Sequence, residues 1–156
     1  RTDETAYCPL AFGYSNYSRD GYRARRITYG AIPSAGRGPV GATLGGAGLA
    51  ISARCAHREV ALAYTAWVAG ASCQSTLYVD AGGQPGSRRA WTGDHANAIT
   101  NAYFRATLPV LERAWLRPRD EGFPARQERG AEIVARLLSG KTSWKDAADE
   151  LVKAMR

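Results

Sequence analysis

Tyr14, Ser15, Asn16 and Tyr17 set two phenol rings beside an amide and hydroxyls within one short stretch. That mixture suits a sugar, whose apolar C–H face stacks on an aromatic ring while its hydroxyls exchange hydrogen bonds. A turn with two half-exposed tyrosines would use the same residues. Residues 43–48, TLGGAG, extend the pattern, because Gly45, Gly46 and Gly48 strip side chains from the backbone and permit positive φ. A ligand could approach that backbone closely. Residues 82–86, GGQPG, repeat the theme with one amide, Gln84. Arg119 carries a fork that fits vicinal hydroxyls or a carboxylate, although a surface arginine needs no such reason.

Two phosphate-binding chemistries fail on spelling and order. A dinucleotide fingerprint starting at Gly46 meets Ile51 where its last glycine belongs, and its glycines precede the apolar run instead of following it. Gly140-Lys141-Thr142 looks like the end of a phosphate loop, but its first glycine would be Ala135, inside a helical pattern. Residue 140 reads as a helix stop. Cys8, Cys55 and Cys73 match no metal spacing, and an odd number leaves one thiol over in any disulfide scheme. Cys55 and Cys73 sit at opposite ends of one helical pattern, roughly 20 Å apart, too far for a bridge. His57 and His95 are isolated, with no zinc-protease motif around them. Asp80, Asp94, Glu112, Asp120 and Glu121 lie in no apolar stretch that would shift their pKa values, so no enzyme, cofactor or metal site is expected.

The elements that must position these residues centre on 41–68: glycine loop, strand and helix. Leu49-Ala50-Ile51-Ser52 reads as a short buried strand. Val60, Tyr64 and Trp67 then recur at helical spacing with alanines between them. Before this unit, 6–15 is strand-like but carries Pro9, 26–32 is a second strand, and 34–39 is a loop. After it, a short helix starts at Ser72 and runs through Val79, stopping at Gly82-Gly83. A further helix is predicted over 94–108, kinked or restarted at Pro109. Pro124 suits the first turn of a long helix with Ile133, Val134, Leu137 and Leu138 on its apolar face. Ser143 with Asp146 forms a capping pair for the last helix, where Trp144, Ala148, Leu151 and Met155 make an apolar stripe.

At 156 residues, with 45% hydrophobic and 22% charged residues, the chain can bury a core and is not disordered. Its net charge of +7 comes mostly from scattered arginines, grouped only at Arg23, Arg25, Arg26 and at Arg117, Arg119. A basic surface attracts phosphates, but no zinc-finger spacing, RNA-binding aromatic signature or basic helix accompanies it. Solvated surface charge is the reading taken, with a basic nucleic-acid or anionic-ligand binder as the alternative and a hydrolase behind it. No apolar run approaches a membrane span, and no signal peptide is present.

The order of these features resembles the C-terminal half of extracytoplasmic solute-binding proteins of ABC importers, in the sugar-binding group that includes maltose-binding protein. The features are a Pro-bearing strand with aromatics, a strand ending in Pro33, a glycine loop, LAIS, a helix, GGQPG and the closing SGKTSWKDAADELVKAMR. The resemblance implies an α/β fold, the C-terminal portion of a type II periplasmic-binding-protein-like architecture with few strands and about five helices. It implies residues 1–40 and 87–156 in one lobe, 41–86 returning to the other, and an N-terminal part that is absent. Phe12, Tyr14, Asn16 and Tyr17 would then face the ligand, Gly45 and Gly46 would present backbone to it, and Gly83-Gln84 would approach from a crossing strand. Phe123 and Gln127 stand where many relatives carry a second stacking aromatic. The expected partners are a sugar or polyol and the membrane permease subunits, with no nucleic acid, no cofactor, a monomeric state and a periplasmic or extracytoplasmic location.

Overall fold

The computed structural model describes residues 7–9, 11–36 and 38–155. The chain is helical over 49% of its length with 1% strand and no sheet, which corrects the expected α/β, periplasmic-binding-protein-like type II architecture. None of the expected strands forms among the described residues; Ala6 and Leu10 of the first lie outside them. The physical reason is visible at residues 49–52: a strand exists only by pairing, and this apolar run has no neighbouring strand. The ladder contact among the described residues is an isolated parallel bridge between Thr43 and Trp115, with Leu44 N donating to Trp115 O at 2.8 Å.

The chain divides into two compact units, one up to Leu116 and one from Arg117. The first holds a 3-10 turn at Ser15–Ser18 and helices α1 (Arg58–Ala69), α2 (Ala71–Ser75), α3 (Leu77–Asp80), α4 (Arg88–Thr92), α5 (Asp94–Ile99) and α6 (Tyr103–Leu111). Its core is Val79, Trp91, Ala96, Tyr103 and Phe104, with Tyr29, Ile99 and Leu108 packed against them. The rings of Trp91, Tyr103 and Phe104 meet edge to face or tilted, at centroid distances of 5.1–6.4 Å. That geometry suits the ring quadrupoles. The core therefore forms where α4, α5 and α6 converge.

The single helix expected over 94–108 is broken, and Asn97 explains the break. Its buried side chain donates from Nδ2 to the carbonyls of Trp91 and Gly93 and accepts from Arg105 N at 2.8 Å. One amide thus satisfies free carbonyls after α4 and a free N–H at the start of α6. The chain turns between α5 and α6 through Asn101 and Ala102, both left-handed at φ 51 and 59. Asparagine tolerates that conformation, whereas alanine bears a cost of roughly 1–2 kcal/mol.

Helix α1 forms where the Val60, Tyr64, Trp67 spacing predicts, but it has no buried residue. Those three side chains are 69%, 58% and 52% exposed. In the expected strand-helix unit they would have faced a sheet.

The second unit pairs α7 (Phe123–Leu138) with α8 (Trp144–Ala154). Gly130 lets the two approach, since a Cβ there would lie 3.5 Å from Leu151 and 3.8 Å from Met155. Phe123, Gly130, Ile133 and Ala147 are buried. Val134, Leu138, Trp144 and Ala148 of the predicted apolar faces are exposed instead. The expected cap is present: Ser143 Oγ accepts from Asp146 N at 3.1 Å and donates to Asp146 Oδ2 at 2.7 Å. Arg126 grips both carboxylate oxygens of Asp120 at 2.8 Å, and that bond holds the Asp120 carboxyl below its ordinary pKa. Arg136 and Glu150 join the two helices as an ion pair.

Candidate functional site

The 3-10 turn at Ser15–Ser18 is fastened to three other parts of the first unit. Ser18 Oγ donates to Ile27 O at 2.6 Å, and Ile27 N donates to Tyr17 O at 2.8 Å. Ser15 N donates to Gln84 Oε1 at 2.6 Å, joining the turn to the GGQPG loop. Arg19, just past the turn, donates from Nη2 to Val79 O at 2.5 Å. The GGQPG loop is itself pinned: Gly86 N donates to Gln74 Oε1 at 2.7 Å and Trp91 Nε1 to Pro85 O at 2.6 Å. Gln84 is therefore an amide held from both sides.

Tyr103 stands behind this junction. Its hydroxyl hydrogen-bonds the Gln84 side chain, and its ring meets Tyr29 edge to face at 4.9 Å. Another hydrogen bond joins the Tyr29 hydroxyl to the Tyr14 backbone. A Cβ on Gly13 would fall 2.5 Å from the Tyr103 hydroxyl, so only glycine allows the chain to pass there. Burial pushes the Tyr103 phenol up to about 12 and raises Tyr29 as well. Both stay neutral hydrogen-bonding groups across the physiological range.

On the outer face of this junction, Phe12 is 87% and Tyr14 55% exposed. Asn16 and Tyr17 are half-buried, and Asn16 Oδ1 lies 3.6 Å from where a Cβ of Gly82 would sit. Because Gln84 Oε1 faces the Ser15 N–H, its Nε2 is the donor end of the amide. Tyr17 meets Tyr22 edge to face at 5.3 Å, with the Arg23 guanidinium 6.0 Å from one ring centre and 5.8 Å from the other. The patch thus offers exposed rings, two amides and a cation.

Of the sequence-predicted residues, the structure brings together Tyr14, Asn16, Tyr17, Gly83 and Gln84, while Phe12 stands exposed one residue before Gly13. Gly83 has a different reason for being glycine, since the Tyr78 ring fills the place of its Cβ. Gly45 and Gly46 are exposed, with no described atom within 4 Å of a Cβ position. They follow the Thr43–Trp115 bridge beyond the last turn of α6, whereas Gly13 lies against Tyr103 in its first turn. The two patches are thus attached near opposite ends of that helix. Arg119 is exposed and belongs to the second unit.

Sequence reasoning placed Ser15 in the Tyr14–Tyr17 stretch but missed Tyr29 and Tyr103, which complete the junction. Tyr103 lies within the helix predicted over 94–108, and nothing in helical spacing says where a phenol oxygen points. It also set His95 aside, which bonds Asp80 through Nε2 at 2.7 Å. Cys73 is buried, and the thiols of Cys55 and Cys73 are free.

Two open hollows have linings that include none of these patch residues. One, of about 370 Å³, is lined by Leu49, Ile51, Cys55 and Tyr64 among others; the second, of about 350 Å³, by Arg117, Phe123 and Gln127 among others. Among the described residues no group of three or more His, Cys, Asp or Glu side chains converges to hold a metal ion. Among the described residues no helix is long and apolar enough to cross a membrane. No family model, curated protein or solved structure matches the chain.

Proposed function

We propose that the chain is a carbohydrate-capturing component of an ABC importer. In this reading it binds a sugar or polyol outside the cytoplasm and delivers it unchanged to the membrane permease subunits. The observation that carries the reading is the junction of Ser15 with Gln84. It holds an amide in the same junction as Asn16 and the exposed Tyr14, against an aromatic backing, with the exposed Phe12 two residues before Tyr14. A pyranose placed there stacks its C–H face on a ring and shares its hydroxyls with the two amides. The backing matters because a held amide loses less entropy on binding than a free one.

Thermal melting with a solute panel tests this. A ligand that binds only the folded chain raises its melting temperature in proportion to the logarithm of concentration over Kd. Saccharides are expected to raise it and Gln84→Ala to abolish the rise. A rise with an amino acid, a peptide or a polyamine, and none with any saccharide, would overturn the reading.

A further inference from the structure

The charge around the patch is lopsided. Between Tyr14 and Tyr29 there are four arginines against one aspartate, and that aspartate, Asp20, is paired with Arg26 at 3.2 Å. Arg23 has no carboxylate partner among the described residues; its guanidinium lies instead by the Tyr17 and Tyr22 rings. Arg19 forms no ion pair among the described residues and its Nε is buried without a hydrogen-bond partner; burial lowers its pKa while the charge of Asp80 opposes that. Asp80 itself bonds His95. Arg23 therefore sets a positive charge, with no carboxylate beside it among the described residues, next to the Tyr17 ring of the patch.

A neutral polyol gives that guanidinium nothing to pair with. A pyranose carrying a carboxylate or phosphate does, and the planar guanidinium fork matches either group in a two-point contact. We propose that the solute is an anionic sugar, a sugar acid or sugar phosphate, whose ring lies on the tyrosine patch and whose charged group is held by Arg23. This rests on the carbohydrate reading above and narrows it.

The test is calorimetric titration of the full chain with D-galacturonate and glucose 6-phosphate, each beside its neutral parent, galactose or glucose, at low and high salt. One anionic sugar is expected to bind about tenfold or more tightly than its parent, as a charge-assisted contact should. The gap should narrow at high salt. Arg23→Gln should remove most of that gap, weakening the anion far more than its parent, and Arg23→Lys should recover part of it. Arg23 is exposed, and an unchanged melting curve confirms that the variant folds. Equal binding of parent and anion, or equal loss of both in Arg23→Gln, overturns the inference but leaves the carbohydrate reading standing. Binding of none of the four sugars, with no saccharide shift in the melting panel, removes both.

Discussion

Two stretches of this chain read alike as sequence and differ in structure. GGQPG at 82–86 and TLGGAG at 43–48 both offer bare backbone beside apolar residues. The first is tied to Ser15, Gln74, Trp91 and Tyr103 by side-chain hydrogen bonds, against a core whose rings interlock. In the second, Leu44 bonds Trp115, but a Cβ at Gly45 or Gly46 would find no described atom within 4 Å, and the helix that follows exposes its apolar face. Glycine permits close approach; a site forms only where a side chain from elsewhere in the chain takes advantage of it. Tyr103 does this for Gly13, and nothing does so for Gly45.

The contrast can be broken by substitution. Phe104→Ala empties the centre of the first region and should cost about 3–5 kcal/mol in denaturant unfolding. Trp67→Ala on α1, more than half exposed, should cost within about 0.5 kcal/mol. Comparable losses at both would mean that α1 is packed after all. Gly13→Ala forces a methyl group against a phenol that cannot swing aside, Tyr103 being 4% exposed, and should cost about 1–3 kcal/mol. Gly45→Ala, in open space, should be close to neutral. Gln84→Ala leaves the Ser15 N–H without its partner, at about 1–2 kcal/mol.

A smaller effect is expected in alkali. Tyr103 ionises at about 12 in the fold against 10.0 for a free tyrosine, so its contribution is intact below pH 10 and lost as pH rises towards 12. The melting temperature should fall across that window, with Tyr29 adding to the fall. Tyr103→Phe should flatten it. An unaltered alkaline limb in that variant would show that Tyr103 is not the buried phenol responsible.

Local signals were legible in the sequence because their physics is local. The Ser143 cap, the start of α7 near Pro124 and the extent of α1 depend on residues within a turn or two of each other. The strands were misread because an apolar run such as 49–52 states only that its side chains avoid water, and pairing needs a neighbour that the run does not specify. The break between α5 and α6 was hidden for a related reason: Asn97 reads as an ordinary helix residue until its partners at Trp91, Gly93 and Arg105 are known. The turn at Tyr14 and the loop at Gln84 were each singled out from their own residues. Their junction depends on Ser15 and on a phenol nineteen residues beyond Gln84, which no spacing rule connects.

The most direct measurement is backbone amide NMR of the labelled chain, titrated with the saccharide that raises its melting temperature most. The account predicts the largest shifts at Tyr14, Ser15, Asn16, Gln84 and Arg23, with Gly45 and Gly46 unmoved. Shifts centred on Gly45 and Gly46, with the Ser15 and Gln84 amides unchanged, would contradict it.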